Sequence, residues 1–189
     1  MSGTLDVEET SIPGVKVLAP RVFGDDRGFF LEMFNKETFA ELHLPSEFVQ
    51  DNHSRSSRGV LRGLHYQLAH PQGKLIRVTR GKIFDVAADV RRGSPTFGKW
   101  CGTVLDDVSL KALWIPPGFA HGFCALSDLA DVVYKCTELY APADERGIRW
   151  DDPTLAINWP IHDLTLSPRD LALPRLDPKS SELPNYEPA

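Results

Sequence analysis

Two histidines in this chain of 189 residues sit where imidazole could do chemistry. His65 lies in Gly59-Val60-Leu61-Arg62-Gly63-Leu64-His65-Tyr66-Gln67, and His121 follows a Pro-Gly turn in Ile115-Pro116-Pro117-Gly118-Phe119-Ala120-His121. Imidazole titrates nearest neutral pH, so two of them in one cavity suit proton transfer. Taken singly, a strand histidine is more often a hydrogen-bonded core residue than a catalyst. Strand alternation puts Arg62 on the opposite face from His65 unless Gly63 interrupts the pleat, as glycine within a strand often does. Cys101, Cys124 and Cys136 form no CxxC pair and lie in apolar runs, so they read as reduced core thiols.

The elements that must hold these residues read as strands. Runs rich in Val, Ile, Phe, Tyr and Leu recur between Gly, Pro, Asp and Ser clusters, the pattern of an antiparallel sandwich or barrel. The predicted strands cover 28–34, 48–52, 60–67, 75–79, 83–90, 100–105, 112–115, 121–126, 131–140 and 147–150. Around ten strands exceed one sheet. Two facing sheets closed as a jelly roll would pair most edges and enclose a ligand cavity. The fold class is therefore all-β, with a short connector helix over 36–43 ended by Pro45. Thr79-Arg80-Gly81-Lys82 reads as a tight hairpin with Gly81 at positive φ. The organisation is one domain, with an N-terminal arm to about residue 20 and a Pro-rich, irregular segment over 151–189 whose last residues are expected to be mobile.

Bulk composition narrows the function classes. A net charge of −5 makes a long polyanion an unsuitable partner, although a few basic groups in one cleft would still bind a small anion. A hydrophobic share of 42% with no long apolar run excludes a membrane-spanning helix. The polar, acidic N-terminus lacks the regions of a signal peptide, and a reducing cytoplasm is the expected location.

The PxGxxH spacing from Pro116 to His121 resembles the second motif of the cupin superfamily of small β-barrels. Metal-binding cupins add an HxH pair and a glutamate. Here that pair reads His65-Tyr66-Gln67, which leaves two imidazoles and too few strong ligands for a tight metal site.

Longer motifs make a closer match, from about Gly14 to Leu176. GDDRGFFLE (24–32), FVQDNHSRS (48–56), GVLRGLHYQ (59–67), QGKLIRV (72–78), FDVAADVRRGSPTFGKW (84–100), LWIPPGFAHGF (113–123), YKCTELY (134–140) and LSPRD (166–170) resemble the dTDP-4-dehydrorhamnose 3,5-epimerase family. Departures are few: Ala88 replaces a commoner valine, and Arg169 stands where lysine is frequent.

The resemblance implies a cupin-like jelly roll that needs no metal or organic cofactor. It implies a dTDP-linked 4-keto-6-deoxyhexose as substrate, whose ketone acidifies the neighbouring C–H groups. By the same match His65 is the general base, Asp170 the carboxylate that orients it, Tyr134 the acid on the other ring face and Lys74 the cation near the C4 oxygen. His121 is implied as a substrate contact, as are Arg27, Arg62 and Arg169, and Glu32, Gln50, Asp51, Asn52 and Glu145. Tyr140 is implied to stack on thymine, and its offset of six from Tyr134 would put both rings on one face of a regular strand.

The family pairs as homodimers with exchanged N-terminal strands, so the segment from Arg27 to Glu32 is expected to complete a partner's site. Three alternatives stay open. They are a non-catalytic sugar-nucleotide barrel, a metal-dependent cupin, and an epimerase acting at one carbon only.

Overall fold

The computed structural model describes residues 5–187. Its thirteen strands are β1 (Leu5–Glu9), β2 (Lys16–Pro20), β3 (Val22–Asp25), β4 (Gly28–Leu31), β5 (Gln50–Ser57), β6 (Leu61–Gln67), β7 (Lys74–Arg80), β8 (Lys82–Asp89), β9 (Trp100–Asp106), β10 (Ala112–Ile115), β11 (Phe119–Ala125), β12 (Leu129–Cys136) and β13 (Glu145–Gly147). Two short helices, α1 (Lys36–Glu41) and α2 (Pro168–Leu171), complete the elements. Six strands form one antiparallel sheet in the order β1-β2-β10-β7-β12-β5, and five form another in the order β13-β6-β11-β8-β9. β3 and β4 form a separate two-stranded ribbon.

Period-two alternation builds the layers. On β8, Ile83 and Ala87 face the other sheet and join Ile76, Val78, Leu113 and Val132 in the core between the sheets. Val86 and Ala88, one residue out of phase, face the opposite side and pack under Leu155, Trp159, Leu176 and Leu183 of the Pro-rich segment. The outer face of the six-stranded sheet is partly covered by α1, through Phe39 against Leu18, Leu75 and Trp114. Asn35 caps α1 by accepting from the N–H groups of Glu37 and Thr38. This is the cupin-like, all-β jelly roll that the motifs imply.

Several expectations change. The stretch read as an N-terminal arm is, from Leu5 onward, built into the six-stranded sheet as β1 and β2; residues 1–4 lie outside the described part. Thr79 to Lys82 is not a hairpin. Gly81 does have a φ of +80°, but β7 and β8 belong to different sheets, so the turn is a corner between layers. A Cβ at Gly81 would lie 2.1 Å from the Leu129 carbonyl oxygen, which explains why glycine occupies that corner. β12 ends at Cys136, well short of Tyr140. The C-terminal segment is pinned as far as Tyr186: the Arg92 N–H donates to the Pro184 carbonyl, and the Tyr186 N–H donates to the Arg92 carbonyl. Residues 188–189 lie outside the described part.

Candidate active site

Between the two sheets lies a cavity of about 640 Å³, lined on one wall by β6 and β11 and on the other by β5, β7 and β12. His65 enters it from β6. Opposite β11, four residues of β6 (Arg62 to His65) span the same length as three (Phe123 to His121), so the register slips by one. Gly63, at φ +110°, absorbs the extra residue, and a Cβ there would meet the His121 carbonyl oxygen at 2.5 Å. The bulge cancels the alternation that would have separated Arg62 from His65, and both line the cavity.

Asp170 reaches His65 from α2. Ser167 caps that helix, accepting from the Asp170 N–H at 3.1 Å, and Pro168 occupies the first turn where its missing N–H does no harm. The His65 Nε2 lies 2.7 Å from the Asp170 Oδ1. Burial by itself would raise the Asp170 carboxyl. The hydrogen bond and charge of His65, the Ser167 hydroxyl and the Gly63 N–H outweigh it and hold the group below the ordinary carboxylate range. An ionised carboxylate on one ring nitrogen leaves the other, Nδ1, as the site for a substrate proton.

Tyr134 comes from the facing sheet. On β12 it stands opposite Ile76 of β7 and Asn52 of β5. Burial raises its phenol pKa, Cys136, Glu145 and Tyr140 add to that, and only Arg62 opposes it. The phenol is therefore kept as a proton donor. Lys74 on β7 pairs in register with Cys136. Burial lowers its ammonium pKa against the pull of Cys136, Glu145 and Asp85. Its ammonium forms no ion pair among the described residues, so an oxyanion entering the cavity would be its natural partner.

A second imidazole-carboxylate pair lies deeper. His121, in register with His65, has its Nε2 3.0 Å from both carboxylate oxygens of Asp85 on β8. Asp85 is fully buried. At the mouth, Glu145 of β13 accepts from the Tyr140 hydroxyl and from Arg169 of α2, and its Oε1 lies 3.7 Å from the His65 Nδ1. Burial would raise the Glu145 carboxyl, but Tyr140, Arg169 and His65 together depress it. Gln67 holds this rim in place. Its amide donates to the His70 and Leu139 carbonyls and accepts from the Ala141 N–H. The glutamine in the place of a histidine ligand therefore has a structural role. Among the described residues, no three His, Cys, Asp or Glu converge as metal ligands.

The arrangement can remove a proton from one face of a bound molecule and return one to the other face, with a cation beside it. The chain that carries it is similar to known proteins. The family description for dTDP-4-dehydrorhamnose 3,5-epimerase matches residues 9–178. A protein of that name from Neisseria gonorrhoeae is 55% identical over 169 residues, which is 89% of this chain; the chain spans 52% of that relative's length. The chain belongs to the dTDP-4-dehydrorhamnose 3,5-epimerase family. The crystal structure of the Legionella pneumophila dTDP-6-deoxy-D-glucose-3,5-epimerase, in complex with dTDP-4-keto-L-rhamnose, superposes with a TM-score of 0.94 at 48% identity, covering 97% of this chain and 100% of that one. A dTDP-4-dehydrorhamnose 3-epimerase from Streptomyces niveus is 46% identical over 161 residues, 84% of this chain and 78% of that one.

Within this epimerase-family cavity the structure brings together His65, Tyr134, Asp170, Lys74, Gln50, Asn52, Arg62, His121, Tyr140, Glu145 and Arg169. Three expected contacts are not there. Asp51 faces the other side of β5, where it pairs with Lys135 at 2.9 Å, because alternation gives Gln50 and Asn52 the inner face. Arg27, at the tip of the β3–β4 ribbon, is 90% exposed and pairs with Asp25. Glu32 accepts from the Asn35 side-chain amide, away from the cavity. Tyr140 does line the mouth, but an irregular segment carries it there, and its N–H donates to the Gln50 Oε1.

Asp85 is the residue that sequence reasoning missed. Its signal was a carboxylate in the apolar run Ile83 to Ala88, in phase with Ile83 and Ala87 on the inner face.

Proposed function

We propose that this protein epimerises dTDP-4-dehydro-6-deoxy-D-glucose at C3 and C5 to dTDP-4-dehydro-L-rhamnose, with no metal or organic cofactor. The observation that carries the reading is the placement of His65 with Asp170 on one wall of the cavity and Tyr134 on the other. His65 Nδ1 takes the proton from the carbon next to the ketone, becoming an imidazolium that Asp170 stabilises. The C–H electron pair moves into the ring, and the C4 oxygen becomes an enolate oxygen beside Lys74 and His121. Tyr134 then gives its phenolic proton to the same carbon from the opposite face, so the centre inverts. The cycle closes when His65 loses its proton and Tyr134 regains one.

Asp85 acts through His121. A buried carboxylate on Nε2 orients that ring and leaves its other nitrogen for the sugar oxygen. Tyr140 offers a flat surface for thymine at the mouth, and Arg62 and Arg169 offer forked donors for diphosphate oxygens.

The ribbon supports a homodimer as the working form. Phe23, Phe29 and Phe30 on it are 47%, 61% and 69% exposed, a patch that a second copy would cover. Arg27 and Glu32 would then reach the partner's cavity rather than their own. Among the described residues no helix is long and apolar enough to cross a membrane. We place the enzyme in the cytoplasm, acting on the sugar nucleotide and on neither nucleic acid nor lipid.

The likeness to the 3-epimerase of Streptomyces niveus favours a second reading, inversion at C3 alone. Incubation with dTDP-4-keto-6-deoxyglucose in deuterated water separates the two by NMR. Deuterium at both C3 and C5 of an inverted product is the expected result. Deuterium at C3 alone establishes the second reading, and none at either carbon overturns both.

A further inference from the structure

Ser54 lines the cavity on β5, and its hydroxyl oxygen is buried without a hydrogen bond to any described residue. Such a group destabilises the protein unless a partner arrives. The other buried side-chain polar atoms in that condition, Arg92 Nε and Trp150 Nε1, do not line the cavity. An orphan hydroxyl in a substrate cavity is a place where a ligand atom completes the bonding.

Sheet order says which part of the ligand that is. β5 is the edge strand of its sheet, and β7, which carries Lys74, lies two strands further in. Across the cavity β6 carries Arg62, while His121 on β11 and Asp85 on β8 lie successively deeper. In the pose that the epimerase reading gives, with the ketone at Lys74 and His121, the C1 end lies across the ring from C4 and is directed towards the β5–β6 side. There the Arg62 Nε donates to the Ser56 hydroxyl at 3.0 Å and its Nη2 to the Arg55 carbonyl at 3.3 Å, which holds the guanidinium beside the inner face of β5. Ser54 is two residues from Ser56 on that face, opposite Val132. A hydroxyl donor next to a fixed guanidinium suits a phosphate oxygen.

We infer that Ser54 is a substrate-positioning residue whose hydroxyl donates to the phosphate attached to C1 of the sugar, next to Arg62. The inference rests on the epimerase reading for the direction in which the sugar lies. In the bound state it removes the orphan, and it fixes the end of the hexose furthest from Lys74, so that the carbons beside the ketone lie between His65 and Tyr134.

The test is calorimetric binding of dTDP, dTMP and thymidine to the intact protein and to its Ser54→Ala and Ser54→Thr variants, with turnover measured alongside. dTDP carries the phosphate in question, and dTMP lacks it. Ser54→Ala is expected to weaken dTDP about tenfold, the effect of one hydrogen bond to a charged group. The affinities for dTMP and thymidine stay unchanged, KM rises by a similar factor with kcat moved far less, and Ser54→Thr restores most of the loss. Equal dTDP affinity in wild type and Ser54→Ala overturns the inference. So does a raised KM with unchanged dTDP binding, which would assign the hydroxyl to the hexose. Failure of the epimerase reading would appear separately, as a wild-type protein that binds dTDP and exchanges no deuterium.

Discussion

At the scale of single residues, the proposed chemistry depends on which nitrogen of His65 is free. Asp170 Oδ1, 2.7 Å from Nε2, fixes that choice, and the carboxyl stays ionised because its hydrogen bonds outweigh its burial. Asp170→Asn keeps the shape and removes the charge. It should lower kcat by about 10³-fold or more, the scale known for orienting carboxylates, with KM nearly unchanged. Steady-state kinetics check this, and a fall of less than about tenfold would reduce Asp170 to a structural partner. That His65, Asp170, Tyr134 and Lys74 meet in one cavity was legible because each sits in a long motif. Residue type alone left each of them with an ordinary reading as core or surface. Asp85 was hidden because no local pattern announces that a carboxylate in an apolar strand will meet a histidine from the neighbouring strand.

At the scale of elements, the β6 bulge places His65, the proposed base, and the β5–β12 pairing places Tyr134, the proposed acid. Gly63→Ala would force a Cβ to 2.5 Å from the His121 carbonyl at a φ that side chains avoid. It should cost about 2–5 kcal/mol in urea unfolding and displace His65, so activity falls further than stability explains. An unchanged unfolding midpoint would contradict this.

The β5–β12 pair is clasped on its outer face by Arg55, whose Nε and Nη2 donate to the two Asp131 oxygens at 2.7 and 2.8 Å. The Arg55 bond first, with help from His53 and against burial, lowers Asp131 to about 2 from an ordinary 3.8. A depressed carboxyl stabilises the fold above its unfolded pKa, and that contribution disappears as pH falls through the folded value. Thermal melts should therefore show stability declining between about pH 4 and pH 2, and Arg55→Ala should flatten that slope while lowering stability at neutral pH. An identical acid slope in the variant would exclude the pair as its source.

Central strands such as β8 and β11 were legible from apolar runs. β1 and β3 were not, since Asp6, Glu8 and Glu9 and the exposed ribbon mask their alternation. The turn at Gly81 was found with its backbone conformation right and its connectivity wrong, because a tight turn looks the same within a sheet as between sheets.

At the scale of the molecule, two facing sheets put His65 and Tyr134, the proposed proton acceptor and donor, on opposite walls of one cavity, and the Pro-rich segment seals the outer face of one sheet. The ribbon, with its exposed Phe23, Phe29 and Phe30, is where the proposed homodimer would form. Sedimentation should show the wild type as a dimer, and Phe30→Asp as a monomer near 21.1 kDa that has lost most activity, since in the proposed dimer it is the partner's cavity that Arg27 and Glu32 reach. A fully active wild-type monomer would contradict the shared site.

The central claim is that base and acid act from opposite walls, and Tyr134→Phe in deuterated water tests it most directly. With His65 intact and the opposing donor removed, the account predicts that the unreacted sugar nucleotide takes up deuterium beside its ketone with retained configuration, while inverted product falls at least a hundredfold. Loss of exchange and of inversion in equal proportion would contradict it, because removal and return of the proton would then depend on the same group.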